Sequence, residues 1–199
     1  MGFFCYNREV EKGIVMKIVV LNGSPRTMGN TRRLLEEFRK GIEENTEATL
    51  NFVDLGEKSI LPCEACNACG QTGRCKHKDN TNELMPLITE ADMIVFGSPV
   101  YWWGITAQMK LIIDKFYTWH HLSYKVPNKK IGVISVGGAA VGDEQYDLIS
   151  SQFRCISDFL KWEIVFDKSY SAYNIGDIEK NENALIECKN LYKSIKGLL

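Results

Sequence analysis

The chain has 199 residues, of which 45% are hydrophobic and 25% are charged, a composition typical of one soluble globular domain. Its formal net charge is −1 with acidic and basic residues interspersed, which argues against nucleic acid as a partner and gives no reason to expect a membrane surface as one. No apolar run approaches the length that spans a bilayer, and Met1–Val15 lacks the apolar block of a secretory signal. We therefore expect a cytoplasmic protein.

Residues 1–15 precede the first strand pattern, which begins directly after Met16. We expect them to form a peripheral N-terminal extension, with Met16 a candidate for the true start of the chain. Residues 16–199 contain no repeat, low-complexity tract or linker-like stretch, so they are predicted to form a single domain.

Apolar runs rich in β-branched residues alternate with amphipathic helical patterns along the chain. The strand patterns cover Lys17–Asn22, Thr49–Leu55, Asp92–Ser98, Lys130–Val136 and Trp162–Phe166. The helical patterns cover Thr31–Glu44, a segment beginning near Asn80, Ile105–Tyr117, Asp143–Leu160 and Ile178–Leu198. Residues 56–79 read as a long loop, and Asn80 with Glu83 resembles a capping box at the start of the second helix.

This alternation predicts an α/β protein with a doubly wound parallel sheet covered by helices on both faces. Ligands bind such sheets beyond the carboxyl ends of the strands, where the strand order reverses. The loops 22–30, 97–105 and 136–145 should meet there, and all three are rich in glycine, serine, proline or aromatic residues.

The segment Asn22–Thr31 (NGSPRTMGNT) joins the first strand to the first helix. Backbone N–H groups and the dipole at a helix start favour an anion there. The residues that can add hydrogen-bond donors, positive charge or tight turns are Gly23, Ser24, Arg26, Thr27, Gly29, Asn30 and Thr31. The segment lacks both the lysine of a P-loop and the G-x-G-x-x-G fingerprint, so a terminal monophosphate suits it better than a pyrophosphate. The structural alternative is a Gly-Ser-Pro turn followed by an Asn30 N-cap.

Two further loops carry ligand-like composition. Gly97–Gly104 (GSPVYWWG) contains three consecutive aromatic residues, which could stack on a flat heteroaromatic ring while loop amides contact its polar edge. Alternatively, the tryptophans cover the core or a subunit interface. Val136–Gly142 (VGGAAVG) would allow close approach of backbone to a ligand, or it is a flexible connector.

The motifs N-G-S-P-R-x-x-G-N-T and G-S-P-V-Y-W-W-G-x-x-A-Q-M-K-x-x-I-D-K resemble the NADPH-dependent FMN reductase group of flavodoxin-like proteins, from about Met16 to Gly142. The resemblance implies a flavodoxin-like sheet of order 2-1-3-4-5, bound FMN, NAD(P)H as reductant, and homodimers or dimers of dimers. It implies that the first loop holds the FMN phosphate, the second the isoalloxazine ring, and that the third closes over the ring. The residues that it assigns to FMN are Ser24, Arg26, Met28, Gly29, Asn30, Thr31, Pro99, Val100, Tyr101, Trp102, Trp103, Gly104, Gly137 and Gly138.

Four of the seven cysteines crowd into Cys63-x2-Cys66-x2-Cys69-x5-Cys75, which in a reducing compartment favours metal or redox chemistry over disulfides. Four thiolates over this span can wrap one [4Fe–4S] cluster, although no proline follows the last cysteine as in the bacterial ferredoxin run. The spacing resembles that of iron-sulfur flavoproteins, which would make these four cysteines the cluster ligands. Relatives that bind FMN alone also carry Cys-x2-Cys-x2-Cys, so free thiols, zinc or a regulatory disulfide remain open.

The other cysteines and the histidines have simpler interpretations. Cys5, Cys155 and Cys188 are predicted to be structural or incidental, with Cys188 on the apolar face of its helix. His77, His120 and His121 are predicted to be solvent-facing rather than proton donors or metal ligands.

The leading functional hypothesis is an NAD(P)H-dependent FMN oxidoreductase, in which hydride passes from nicotinamide to flavin and on to a small acceptor such as a quinone or flavin. It requires no acid–base side chain, and none is assigned. The second is an electron-transfer protein with FMN beside a cluster and a ferredoxin-like protein as partner. The third is a binding or sensor module without turnover.

Overall fold

A computed structural model describes residues 15–126 and 129–195, so most of the predicted N-terminal extension lies outside the described residues. Five strands form one sheet: β1 Lys17–Asn22, β2 Thr49–Asp54, β3 Met93–Pro99, β4 Lys130–Gly137 and β5 Glu163–Ser171. The helices are α1 Asn30–Asn45, α2 Cys69–Thr72, α3 Thr81–Glu90, α4 Ala107–Asp114, α5 Glu144–Leu160 and α6 Glu182–Asn190. Neighbouring strands are parallel and the order is β2-β1-β3-β4-β5, which confirms the predicted flavodoxin-like sheet.

The sheet is buried on both faces, as the continuous apolar strand patterns predict. In β1, Val19 and Leu21 pack into the core beneath α3, α4 and α5. Ile18 and Val20 point to the opposite face, into the core beneath α1 and α6. With both faces covered, the carboxyl edge of the sheet is where the polar loops meet.

Several helix and strand ends differ from their predictions for local reasons. The predicted helix Ile105–Tyr117 begins later, because Thr106 is the N-cap and its side chain accepts the Met109 N–H. It then tightens into a 3-10 segment, Lys115–Leu122. The predicted helix Ile178–Leu198 is interrupted: it starts as the 3-10 segment Asp177–Lys180, continues as α6 and ends in the 3-10 turn Leu191–Ser194.

Two further differences concern β5 and the start of α3. The strand β5 runs beyond Phe166, because it pairs with β4 as far as Gly137. The helix starts next to Asn80, its N-cap residue, as predicted, but the side-chain bond of a capping box to the helix N–H is absent: the Asn80 Oδ1 accepts the Ser59 N–H at 2.8 Å, and its Nδ2 donates to Glu83 Oε2 at 2.7 Å. Asp79 instead accepts the Thr81 N–H at 2.9 Å, so α3 begins at Thr81.

A buried lysine ties the amino-terminal edge of β4 to the end of α3. The Lys129 ammonium donates to the carbonyls of Thr89 at 2.7 Å and of Ala91 at 2.5 Å. A cation at a helix C-terminus is favourable. Burial nevertheless lowers the pKa of Lys129 to about 8, against a weaker opposing effect of the Asp92 charge.

This lowered pKa gives the stability a dependence on alkaline pH. Between about pH 8 and 10.5 the unfolded chain binds more protons at Lys129 than the folded chain does, so the free energy of unfolding should rise with pH. We expect the unfolding free energy of wild type to rise by up to about 3 kcal/mol relative to that of Lys129→Met across that window. Denaturant titrations measure it, with the exposed Lys125→Met as control; parallel curves for wild type and Lys129→Met would contradict the assignment.

Candidate functional site

A cleft opens at the carboxyl edge of the sheet, where the loops after β1, β3 and β4 meet. The sequence-predicted residues that line it are Ser24, Arg26, Gly29, Asn30, Thr31, Pro99, Val100, Tyr101, Gly137 and Gly138. Val136, at the start of the predicted third loop, also lines it, as do Ala172 and Tyr173, which were not predicted. Met28, Trp102, Trp103 and Gly104 are not among the lining residues, and Met28 is exposed at the tip of the first loop.

Side-chain hydrogen bonds hold the first loop in shape. The Asn22 Oδ1 accepts the Ser24 N–H at 3.1 Å, and its Nδ2 donates to Asp54 Oδ1 at 2.7 Å. The Ser24 Oγ, which is nearly buried, accepts the Arg26 N–H at 3.2 Å. A Cβ at Gly29 would lie 2.9 Å from Ser24 Oγ, so glycine is needed for this close turn. The Arg26 side chain remains exposed at the cleft.

The start of α1 is left open to an anion. Its N-cap is Gly29, which has no side chain to accept an N–H, so the predicted alternative of an Asn30 N-cap is wrong. The first N–H groups of any α-helix lack partners within the helix and carry partial positive charge. The buried Thr31 lies in this first turn and also lines the cleft.

The first and second loops are locked to each other. The Gly23 N–H donates to the Gly97 carbonyl at 2.7 Å, and the Thr106 hydroxyl donates to the Gly23 carbonyl at 2.7 Å. The Thr106 N–H in turn donates to Ser98 Oγ at 3.1 Å. The second loop is joined to β4 as well, since the Val100 N–H donates to the Val136 carbonyl at 2.8 Å.

The tip of the second loop is a strained turn that carries two exposed tryptophans. Tyr101 and Gly104 exchange backbone hydrogen bonds at 2.9 and 3.1 Å around Trp102 and Trp103, which have φ of 48° and 59°. Positive φ at both central residues defines a type I′ turn, which normally takes asparagine or glycine. A left-handed backbone costs about 1–2 kcal/mol of conformational free energy at each tryptophan. Trp102 and Trp103 are 92% and 55% exposed. Such a costly placement points to a ligand or partner surface.

The third loop is shaped by Tyr146 from α5. A Cβ at Gly137 would lie 2.9 Å from the Tyr146 hydroxyl and 3.0 Å from Val100. The hydroxyl lies 2.9 Å from the Ala139 carbonyl, to which it can donate. Burial raises the pKa of Tyr146, so it stays protonated as a donor. Periodicity places Tyr146 on the inner face of its helix but carries no signal for this hydrogen bond.

A fourth segment, 172–176 after β5, completes the cleft and was missed by the sequence analysis. Tyr173 lies against the third loop, since a Cβ at Gly138 would approach its ring to 2.7 Å, and it is 79% exposed. The Asn30 side chain holds this segment to α1: its Nδ2 donates to the Asn174 carbonyl at 2.8 Å, and its Oδ1 accepts the Gly176 N–H at 3.0 Å. The carboxamide of Asn30 is therefore engaged by this segment, which leaves its backbone N–H for an anion.

The cysteine motif lies in a separate loop between β2 and α3, with one helical turn, α2, inside the predicted loop. Ala65 and Asn67 have left-handed backbones with φ of 52° and 58°. The Asn82 side chain of α3 fixes Cys75 by accepting its N–H and donating to its carbonyl, both at 2.9 Å. These backbone angles and contacts fix the backbone of the loop at Ala65, Asn67 and Cys75.

All four motif cysteines line one small cavity, together with Lys115 and His77. Cys63 and Cys66 are exposed, whereas Cys69 and Cys75 are half-buried. Burial, with smaller effects of the other three cysteines, raises the pKa of Cys69. The four thiols are free of disulfides. Among the described residues, no three His, Cys, Asp or Glu side chains are grouped closely enough to hold a single metal ion.

The histidines and remaining cysteines follow their predictions in part. His120 and His121 are exposed at the end of the 3-10 segment, although both rings pack on the cysteine loop at Gly70 and Gly73. His77 is half-buried, contrary to the prediction. Cys188 is buried as predicted, Cys155 is exposed, and Cys5 lies outside the described residues.

The family model for NADPH-dependent FMN reductases matches residues 16–155. The chain belongs to this family. The match includes the first three cleft loops and the cysteine motif, and it ends before the 172–176 segment. No helix among the described residues has the length and apolar character needed to cross a membrane.

Relatives with established names fall into two groups. An iron-sulfur flavoprotein of Methanocaldococcus jannaschii is 35% identical over 130 residues, which are 65% of this chain and 66% of that protein. An iron-sulfur flavoprotein of Archaeoglobus fulgidus is 37% identical over 106 residues, 53% of this chain and 48% of that protein. A Bacillus subtilis protein, named as a candidate NAD(P)H-dependent FMN-containing oxidoreductase, is 27% identical over 190 residues, 89% of this chain and 97% of that protein.

Solved structures share the fold. The NAD(P)H:quinone oxidoreductase from Methanothermobacter marburgensis superposes with a TM-score of 0.67 at 20% identity, covering 92% of this chain and 96% of that chain. At this identity the similarity establishes the common flavodoxin-like fold.

The anion site at the start of α1 is tested by Arg26→Ala. We expect this change to weaken FMN binding by about 1.5–3 kcal/mol, because it removes a charge-assisted contact to the phosphate, and to leave riboflavin binding unchanged. Fluorescence titrations of both flavins measure the effect. Arg154→Ala, which removes an arginine from the exposed surface of α5, is the control. Equal FMN affinity in Arg26→Ala and wild type would remove Arg26 from the phosphate site.

Proposed function

We propose that this protein is an NAD(P)H-dependent FMN oxidoreductase that passes electrons to a small acceptor such as a quinone or a flavin. The observation that carries the proposal is the uncapped start of α1, with Ser24, Arg26 and Thr31 around it, in a cleft at the carboxyl edge of the sheet. Membership of the NADPH-dependent FMN reductase family supports FMN as the ligand.

The residues of the first loop suit a dianionic phosphate. The α1 N–H groups and the Arg26 guanidinium supply positive charge, and the hydroxyls of Ser24 and Thr31 supply further donors. The close turn at Gly29 keeps Ser24 beside the open helix start, because any larger residue there would push against its Oγ. We therefore assign these residues to the phosphate and Asn30 to the support of the 172–176 segment.

The second and third loops suit the flavin ring. Bound FMN supplies the hydride-accepting and electron-donating chemistry. Pro99, Val100 and Tyr101 provide apolar contact on one side of the cleft, and the backbone at Gly137 and Gly138 can approach the ring edge closely. Backbone N–H groups in such loops stabilise negative charge on a ligand that they face.

The exposed tryptophans suit the place where nicotinamide and acceptor alternate. Trp102 and Trp103 stand at the tip of the second loop, next to Tyr101 of the cleft wall. Flat aromatic donors and acceptors can stack on such side chains without specific polar contacts. This arrangement accounts for why an exposed and strained turn carries large apolar residues, and we assign no proton-transferring side chain.

The oxidoreductase proposal is tested by mixing the FMN-loaded protein with NADH or NADPH without oxygen. We expect at least one donor to bleach the flavin absorbance near its visible maximum, and a quinone added afterwards to restore it. Free FMN at the same concentration, mixed with the same donors, serves as the background control. Absence of bleaching with both donors would favour the binding or sensor module instead.

A second candidate function is favoured by the cysteine cavity. We propose that Cys63, Cys66, Cys69 and Cys75 hold a [4Fe–4S] cluster, so that electrons can move between FMN, the cluster and a ferredoxin-like protein. The presence of all four cysteines in the lining of one cavity supports it, as do the names of the two archaeal relatives. A cubane takes four thiolate ligands, which is the number of cysteines in the motif.

Iron and acid-labile sulfide analysis tests this second candidate after anaerobic reconstitution. We expect about four irons and four sulfides per chain in wild type. Cys66→Ser should lose most of both, whereas Cys155→Ser, an exposed cysteine outside the motif, should keep them. Flavin alone, with neither iron nor sulfide, would leave the cysteines as free thiols.

A further inference from the structure

A lysine is buried beneath the cysteine loop and forms no ion pair within the described part of the chain. Lys115 begins the 3-10 segment after α4 and is 2% exposed. Its side chain lines the same cavity as the four cysteines of the motif. Long cationic side chains are rarely buried to this degree unless a group of opposite charge or several acceptors receive them.

The polar contact of the Lys115 ammonium, within the described residues, is to a cysteine. Its Nζ lies 3.9 Å from Cys75 Sγ. The positive charge of Lys115 is one of the smaller causes that lower the pKa of the Glu64 and Asp79 carboxylates. Both are engaged elsewhere, however: Glu64 pairs with Lys76 at 2.7 Å, and Asp79 accepts the N–H groups of Leu61 and Thr81.

The two buried lysines differ in the groups that accept their hydrogen bonds. The equally buried Lys129 ammonium donates to two backbone carbonyls, so its hydrogen-bonding capacity is largely used within the fold. Lys115 is directed instead at a sulfur, which as a neutral thiol is a weak acceptor and carries no compensating charge. Negative charge on the cysteine sulfurs would strengthen this contact.

We infer that Lys115 is the counter-cation of the four-cysteine site: it orients the Cys75 sulfur and offsets the negative charge of the thiolates and the cluster they bind. The inference rests on the iron-sulfur candidate function. The potential of an iron-sulfur cluster depends on its net charge, on hydrogen bonds to its sulfurs and on its exposure. A buried ammonium beside one ligand favours the more negative, reduced form, so Lys115 raises the reduction potential of the site.

Three substitutions of Lys115 separate the effect of its charge from that of its hydrogen-bond donors. Lys115→Gln removes the charge but keeps hydrogen-bond donors, Lys115→Arg keeps the charge, and Lys115→Met removes both. Lys110→Gln is the control, because Lys110 is exposed one turn earlier and pairs with Asp114. Circular dichroism selects the folded variants, and Lys115→Met replaces Lys115→Gln if the latter does not fold.

The measurement is a dye-mediated potentiometric titration of the reconstituted FMN- and cluster-loaded protein, followed by electron paramagnetic resonance. We expect Lys115→Gln to lower the equilibrium constant for one-electron reduction of the cluster at least tenfold, which is 59 mV, while Lys115→Arg and Lys110→Gln stay close to wild type. A neutral variant with the wild-type potential, or an equal shift in Lys110→Gln, would overturn the inference alone. Wild-type protein without iron and sulfide would overturn the cluster and the inference together, and iron analysis identifies that outcome.

Discussion

The hydrogen bond from the Gly23 N–H to the Gly97 carbonyl, at 2.7 Å, joins the first two cleft loops at the point where β1 and β3 end. Thr106 reinforces it by donating to the Gly23 carbonyl from the N-cap of α4. Because both strands are buried on both faces, they cannot shift to accommodate a loosened loop. The position of the open α1 start relative to Tyr101 is therefore set by the sheet itself, which is the preorganisation that a cofactor site needs.

The same edge of the sheet positions a second site of different chemistry. The cysteine loop follows β2. Asn82 of α3 accepts a hydrogen bond from it, and the 3-10 segment after α4 packs against it. Thus α4 contributes to both regions: its N-cap joins the first two cleft loops, and the segment after its C-terminus places Lys115 next to Cys75. A change in the length or tilt of α4 would therefore move both the cleft loops and Lys115.

The alternation of apolar runs and helical patterns was sufficient for the doubly wound parallel sheet and for the meeting of three loops at its carboxyl edge, because these are local signals, whereas the strand order came from the family resemblance. The sequence could not predict the partner of Asn30, since that hydrogen bond spans 144 residues and depends on how the segment after β5 folds back. It carried no signal for the type I′ turn that leaves Trp102 and Trp103 exposed, because positive φ at a tryptophan does not follow from composition. The helical pattern carried no signal that Lys115 is buried, because its burial depends on packing against residues distant in sequence.

The central claim is that the cleft at the carboxyl edge recognises a flavin by its terminal phosphate. Comparing the affinities of the apoprotein for FMN and for riboflavin tests this most directly, because the two ligands differ only in that phosphate. With the α1 N–H groups, Arg26 and two hydroxyls around the phosphate, we expect FMN to bind about 100-fold more tightly or better. Equal affinities for the two flavins would contradict the claim.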